Sequence, residues 1–307
     1  MSSSSPLIVI CGATATGKSD LALAIADELG AQIVNADSMQ LYQGMDIGTA
    51  KLSPDERAGI PHHLLDVAPV TQDVTVAWYQ EHSRAVVDHL RSQGIPVVVV
   101  GGTGLYIKSL LDDLNFPDTD PIIRQRITDE AEIAGNEATH AKLALLDPAA
   151  ALAIPAENIR RVIRALEVIE ITGQPYTTNL PRADSTRYPE AIQIGLAMNR
   201  EELGDRINTR VDRMWDLGLV DEVEELINQG LLEGRTAQAA IGYSQIISMK
   251  HGLISEDEAK EETKRATRHY AKRQETWFSR DSRIHWLSAD STTPARKEAA
   301  LATIIQR

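Results

Sequence analysis

The chain has 307 residues, 43% of them apolar and 24% charged, with a formal net charge of −13. That length allows one large or two modest domains, and so acidic a protein cannot bind nucleic acid over its whole surface, only through a local patch. A single cysteine, Cys11, excludes an internal disulfide and a thiolate metal cluster; no run reaches the ~20 apolar residues of a membrane span, and MSSSSP lacks the positive charge of a secretory leader, so a cytoplasmic protein with no membrane contact is expected.

Leu7 to Cys11 read as a fully buried strand, and Leu21, Ile25 and Leu29 recur one turn apart along a helix from Lys18 to Leu29. Between them Gly12, Ala13, Thr14, Ala15, Thr16, Gly17, Lys18 and Ser19 spell G-x-x-x-x-G-K-[ST] in the strand-to-helix context that this motif requires. Glycine permits the sharp turn and the close approach of a phosphate to backbone N–H groups. The helix adds its positive end, Lys18 a point charge, and Ser19 a hydroxyl able to hold Mg²⁺. The result is a site for a diphosphate or triphosphate. ATPases, GTPases, small-molecule kinases and other diphosphate-handling enzymes all share such a loop, so it does not choose the bond to be broken.

A second strand, Ala31 to Asn35, ends at Asp37. A carboxylate there can hold Mg²⁺, take a proton from a nucleophile, or simply cap a turn. Ser38 and Gln40 offer hydrogen bonds, Gln40 to an adenine edge, and Tyr42 and Met45 supply an apolar wall or core. His62 and His63 have poor spacing for zinc and read as packing residues, with Asp66 ordering their loop. A helix from about Val76 to Gln93 crosses to a third strand, Pro96 to Val100, which stops at Gly101-Gly102-Thr103-Gly104. No acidic residue ends that strand, which argues against simple nucleotide hydrolysis. The glycines signal either a closely approaching ligand or a tight turn, and Thr103 can donate to a phosphate or a base.

Apolar strands alternating with helices predict an α/β fold, a P-loop NTPase-like core whose parallel sheet is covered by helices, with its chemistry beyond the C-terminal strand ends. The turn-rich NFPDTDP sets the boundaries: a first part of the core over 1–114, a small helical insertion over 115–189, a second, mostly helical part of the core over 190–290 that opens with AIQIGLAM, and a tail or short helix over 291–307. In the insertion Arg160, Arg161 and Arg164 share one helix. Arg206 and Arg210 stand one turn apart after the returning strand, where guanidinium forks suit diphosphate oxygens. In the last long helix, from about Ser255 to Arg280, Lys260, Lys264, Arg268 and Lys272 recur every four residues, with His269, Tyr270, Trp277 and Phe278 interleaved. Either this is a solvated face paired with Glu261 and Glu262, or it is a surface for single-stranded RNA.

GATATGKS, NADSMQLYQGMDIGTAK, PHHLLD, VVVVGGTGLYI, NIRRVIRALEV, GLVDEVEEL, AIGYSQ and TKRATRHYAKRQETWF occur in this order over nearly the whole chain. Together they resemble the tRNA dimethylallyltransferases, also called tRNA isopentenylpyrophosphate transferases. Ala13 stands where that family usually has proline, Ser19 where it often has threonine, and VAWYQ where it has a VADF-like stretch. A chain ending without the zinc-finger tail of eukaryotic relatives sets the expectation of a bacterial type.

The resemblance implies transfer of a dimethylallyl group from dimethylallyl diphosphate to N6 of the adenosine 3′ of the anticodon, in tRNAs reading codons that start with U, with release of diphosphate. It implies that tRNA lies between core and insertion, that Asp37 is the general base, and that Thr103 touches tRNA, with Arg124 or Arg126 doing the same. The residues agree with that chemistry, because a departing diphosphate needs amides and cations and no group that activates water. The expected catalytic set is Asp37, Lys18, Thr103 and Arg206. The diphosphate set is Gly12 to Ser19 with Arg210, and Ser19 carries Mg²⁺. The tRNA set is Asp37, Ser38, Met39, Gln40, Thr103, Arg126, Arg160, Arg161, Arg164, Lys264 and Arg268, meeting the anticodon stem-loop as a monomer. The rival is an ATP-binding P-loop kinase of a small molecule, with Asp37 facing a hydroxyl. A binding-only module is a third reading, and a GTPase is disfavoured because no N-K-x-D sequence occurs.

Overall fold

A computed structural model describes residues 5–179 and 186–305. Residues 1–4 of the opening serine tract, 180–185 of the loose segment after Gly173, and 306–307 of the C-terminal segment lie outside the described residues. The chain forms two compact units, Met1–Leu111 with Tyr188–Arg307, and Asp112–Arg187.

In the first unit β1 (Leu7–Gly12), β2 (Gln32–Asn35), β3 (His62–His63), β4 (Val97–Val100), β5 (Ile192–Ala197) and β6 (Ile284–Ser288) form a parallel sheet in the order β3-β2-β4-β1-β5-β6. The central strands are apolar at every position because both of their faces are covered. Leu7, Val9, Cys11, Val97 and Val99 face one core. There they meet Tyr79 and Leu90 of α2 (Val76–Ser92), Tyr106 and Leu110 of α3 (Gly104–Leu111), Val223 of α9 (Leu219–Asn228) and Tyr243 of α10 (Tyr243–Lys250). Ile8, Ile10, Val98 and Ile194 face the other core, against Leu21 and Ile25 of α1 (Lys18–Leu29) and Ala300 of α12 (Thr293–Ile305). Two further helices, α8 (Arg200–Asp216) and α11 (Glu256–Phe278), close a small cluster of Leu203, Ile207 and Ala271 on Ala13 of the loop after β1. That cluster brings both helices to the C-terminal strand ends, where ligands bind in such sheets.

The second unit closes α4 (Pro121–Ala134), α5 (Asn136–Leu146), α6 (Pro148–Ala153) and α7 (Ile159–Thr172) on Ile127, Leu143, Ile154, Val162 and Leu166. One long helical stretch from Ile122 to Ile154 reads from the pattern, yet the chain breaks it twice. Gly135, at φ +82°, ends α4, and Asp147 caps α6 through the Ala150 amide, with Pro148 in its first turn.

One element at the end of the chain differs from expectation, and the helical alternative for the last segment holds there. β6 is an edge strand whose only buried residue is Ile284, so IHWLS shows no apolar run. The segment expected as a tail or short helix is the 13-residue α12, which covers one sheet face.

Candidate active site

Three strand tips converge, each shaped by its own sequence. After β1, Gly12 takes φ +135°, Ala15 φ +65° and Gly17 φ +86°, so the loop turns sharply into α1. A Cβ on Gly12 would lie 2.7 Å from the Leu196 carbonyl oxygen. The Thr16 hydroxyl and Lys18 Nζ both donate to the Ala13 carbonyl, at 2.9 and 2.6 Å.

After β2, Asn35 organises the turn: its side chain donates to the Asp37 and Leu64 carbonyls and accepts from the Asp37 amide. One Asp37 carboxylate oxygen accepts from the Met39 amide at 2.9 Å. After β4, Gly101 packs so close to the second tip that a Cβ would stand 2.2 Å from the Ala36 carbonyl oxygen. The Thr103 hydroxyl accepts from the Ser38 amide at 3.1 Å and lies 3.4 Å from the Ser38 hydroxyl.

A fourth element binds these tips together. Buried Gln274 of α11 accepts from the Thr14 amide at 2.8 Å and donates to the Gly102 carbonyl at 2.8 Å. One carboxamide thereby fixes the first tip to the third.

The tips surround a cavity of about 900 Å³ lined by Lys18, Ser19, Asp37, Arg206, Arg210, Arg213 and Arg296 among others. A smaller chamber of about 280 Å³ has Met39, Val211, Met214, Leu219, Ile241, Tyr243 and Tyr270 in its walls. Thr14, Asp37, Thr49, Arg210 and Met214 line both. Asp37 therefore stands where a charged space, lined by Lys18, Arg206, Arg210, Arg213 and Arg296 but also by Asp20, Asp46, Glu56 and Asp66, meets a mostly apolar one.

Burial and then the neighbouring Arg210 charge lower the Lys18 ammonium to about 8, against the opposing pull of Asp37. Burial also holds Arg210 below its usual range, and its guanidinium donates to the Thr14 hydroxyl at 3.3 Å. Arg206 sits at the exposed rim, paired with Glu202 at 3.2 Å. Burial pushes the Tyr270 phenol up to about 12, so it stays neutral at working pH.

Of the expected residues Thr14, Ala15, Gly17, Lys18, Ser19, Asp37, Ser38, Met39, Arg206 and Arg210 line these cavities; Gly12, Ala13 and Thr16 lie in the same loop without lining them, and Thr103 lines neither and reaches the site through Ser38. Gln40 lines the larger one, but its side-chain amide donates to the Thr49 carbonyl at 3.1 Å. Lys264 and Arg268 do not face outward. Lys264 bonds Asp212 at 2.8 Å together with Lys260, and Arg268 bonds Asn208, so both residues tie α11 to α8. The exposed side of α11 instead carries His269, Lys272, Arg273 and Trp277 near its C-terminal end, with exposed Arg280 just beyond it, and Arg273 also lines the smaller chamber.

In the insertion, Arg164 is committed to Glu167 and the Pro117 carbonyl, Arg124 to the same buried Glu167, and Arg126 to Glu130 and Glu170. Arg160 and Arg161 are exposed and make no ion pair among the described residues. His62 contacts the Ile60 carbonyl and His63 the Gln32 side chain, both as packing residues. Asp66 pairs with buried Lys51 at 2.5 Å, which orders its loop.

Three contributors escape a reading of the sequence. Gln274 is one, and Arg296 is another. The third is Glu222, whose carboxylate accepts from the Asp46, Ile47 and Gly48 amides and from the Tyr243 hydroxyl at 2.6 Å. Glu222 so holds the loop before Thr49 against the chamber. GLVDEVEEL and AIGYSQ meet here, although neither marks a residue as polar machinery.

The model of the IPP transferase family matches residues 40–281. A tRNA dimethylallyltransferase of Streptomyces coelicolor is 53% identical over 307 residues, covering 98% of each chain. A crystal structure of a tRNA isopentenylpyrophosphate transferase from Bacillus halodurans superposes with a TM-score of 0.71 at 35% identity, covering 98% of this chain and 97% of that one. A eukaryotic dimethylallyltransferase acting on tRNA superposes with a TM-score of 0.81 at 25% identity, covering 99% of this chain and 80% of that one.

Proposed function

The chain belongs to the IPP transferase family, and from that premise we propose that it is a bacterial-type enzyme that transfers the dimethylallyl group of dimethylallyl diphosphate to an adenosine of tRNA. The acceptor atom is N6 of the adenosine 3′ of the anticodon, in tRNAs reading codons that begin with U. The observation that supports this reading most is the position of Asp37, on the wall between the cavity that holds Lys18 and Arg210 and a mostly apolar chamber. The diphosphate lies on the loop amides with Lys18 and Arg210, and the five-carbon chain points toward Met39, Val211 and Met214.

The N6 lone pair attacks the allylic C1, the C1–O bond breaks, and its electron pair leaves with the diphosphate. The proton lost from N6 passes to the Asp37 carboxylate. Amides and cations that meet the growing charge of the leaving group lower the barrier. The adenine must leave its stack to reach the chamber, and Ser38, Thr103 and Tyr270 offer it polar edges and an aromatic face.

Ser19 lines the cavity beside Lys18, and no cluster of three or more His, Cys, Asp or Glu suited to a metal exists among the described residues. That donor set fits Mg²⁺, which takes few protein ligands and borrows phosphate oxygens; bound there it would neutralise the leaving group. No helix among the described residues is long and apolar enough to cross a membrane, and with tRNA as substrate the place of action is the cytoplasm. The anticodon stem-loop meets one copy of the chain.

The direct test is incubation with labelled dimethylallyl diphosphate and unmodified tRNA, beside γ-labelled ATP with small acceptors. Label is expected in tRNA without ATP. Label passing only from ATP to a small hydroxyl compound would establish the kinase instead.

Two further outcomes follow from the charges. The Lys18 value of about 8 makes kcat/KM for dimethylallyl diphosphate fall as pH rises through 8, because the neutral amine no longer attracts diphosphate. In kcat the same limb moves to higher pH, since the bound anion favours the ammonium. A pH profile flat to pH 10 would contradict a lowered Lys18 value, and Lys18→Met with unchanged KM for dimethylallyl diphosphate would remove Lys18 from the diphosphate site. For RNA, Lys272→Glu with Arg273→Glu is expected to weaken tRNA binding and to lower the slope of log K against log salt by about 1.4, at ~0.7 per phosphate contact on single strands. Lys264→Glu should mainly cost stability, through its bond to Asp212. An unaltered salt slope in the double variant would move the RNA surface off α11.

A further inference from the structure

α12 covers the sheet with Ala300, and one turn earlier it sends Arg296 under the P-loop. Arg296 is 6% exposed. Its NH1 donates to the Thr16 carbonyl at 3.1 Å and its NH2 to the Thr293 hydroxyl at 2.8 Å. Its Nε is buried without a hydrogen-bond partner. The fit is so close that a Cβ on Gly17 would lie 2.5 Å from NH1.

No carboxylate pairs with this guanidinium among the described residues; the adjacent Lys297 takes Glu28 at 2.7 Å. A cation so far removed from water is unfavourable unless an anion answers it. Arg296 lines the same cavity as Lys18, Ser19 and Arg210, where the diphosphate is placed. It also lies beyond residues 40–281, the span matched by the family.

A trans peptide points its C=O and N–H in opposite directions, and no peptide bond among the described residues is cis. Whatever holds the Thr16 carbonyl therefore also aims the Gly17 amide to the opposite side. We propose that Arg296 is a positioning residue of the diphosphate site: it anchors the Thr16 carbonyl so that the Gly17 amide meets the diphosphate, and its charge, with no carboxylate partner among the described residues, attracts that anion from across the peptide. The proposal rests on the diphosphate reading above, and it makes α12 part of the cradle rather than a mere cover for the sheet.

The test compares wild type, Arg296→Gln and Arg296→Lys, with inorganic pyrophosphate as the probe in calorimetry and dimethylallyl diphosphate as the substrate in kinetics. Arg296→Gln is expected to weaken pyrophosphate binding about tenfold, the scale of one lost charge-assisted contact, and to raise KM for dimethylallyl diphosphate in parallel. KM for tRNA stays unchanged, and Arg296→Lys recovers part of the loss. A folded Arg296→Gln variant that binds pyrophosphate like wild type overturns the proposal, as does one that merely melts earlier with its pyrophosphate affinity intact.

Should the glutamine variant fail to fold, the lysine variant assigns the Arg296 Nε–H signal in the NMR spectrum of wild type. That signal must move when pyrophosphate saturates the protein, and a signal that stays in place overturns the proposal equally. Pyrophosphate binding requires no group transfer, so a wild-type protein that leaves tRNA unmodified would remove the transferase reading without deciding this one.

Discussion

Asp37→Asn is expected to slow single-turnover transfer about 10²- to 10⁴-fold, the usual contribution of a general base, while tRNA and pyrophosphate affinities stay within about twofold of wild type. Asparagine has the same shape, and its carbonyl oxygen can still accept from the Met39 amide, so the turn between β2 and the following loop survives. What is lost is the group proposed to take the N6 proton. Asp37 also supports the Lys18 ammonium electrostatically, so removing its charge lowers the Lys18 value further. The alkaline limb of kcat/KM for dimethylallyl diphosphate should therefore shift below pH 8 in this variant. An unchanged single-turnover rate would remove Asp37 as the base.

Gly101→Ala is expected to produce the second large effect, through backbone rather than charge. Its Cβ would stand 2.2 Å from the Ala36 carbonyl oxygen and 2.3 Å from the Ala36 carbonyl carbon, one residue before Asp37. Backbone on both sides must move, at a cost of about 1–3 kcal/mol for an overpacked core. The move displaces the β2 tip that carries Asp37. A misplacement of ~1 Å at the reacting groups costs about 100-fold in rate, so transfer should fall at least that far even where the variant stays folded.

Two other glycines separate the causes. Gly94 has φ +79° and open space around it, so Gly94→Ala strains only its own turn and should leave the rate alone. Gly102→Ala meets the Gln274 side-chain nitrogen at 2.2 Å and so attacks the bridge between tips. Thermal melting alongside single-turnover kinetics distinguishes these cases. A Gly101→Ala variant with a wild-type rate would show that the close packing of the two tips does not position Asp37.

The parts of this site that lie within a few residues of one another are legible in the sequence. Gly12 to Ser19 form one local turn, Asp37 follows its strand by two residues, and Gly101 to Gly104 end theirs. Each is fixed by short-range geometry that residue types alone announce. Gln274 reaches Thr14 across 260 residues, and Arg296 reaches Thr16 across 280; no local pattern carries such contacts.

The four-residue spacing of Lys260, Lys264 and Arg268 does show that they share a helix face. Spacing cannot say what that face meets, and here it meets Asp212 and Asn208 of α8. A similar limit hid β6, since an edge strand buried only through Ile284 leaves no continuous apolar run to notice. In the insertion Arg160 and Arg161 are exposed, whereas Arg124 and Arg126 reach Glu167 and Glu170 across from α4 to α7, a pairing that depends on helix packing the pattern does not set; Arg164–Glu167 and Arg126–Glu130 are one-turn pairs that spacing does allow.

The proposed reaction needs one spatial relation, a diphosphate held by the P-loop, Lys18 and Arg210, with an adenine amine across from it at Asp37. Crystals of the protein with an unreactive thio-analogue of dimethylallyl diphosphate and an anticodon stem-loop RNA measure that relation directly. The expected result is an Asp37 carboxylate oxygen within about 3 Å of N6, hydrogen-bond reach for a base, and the diphosphate on the amides of Gly12 to Ser19. An adenine amine bound far from Asp37, or a diphosphate seated away from Lys18, would contradict it.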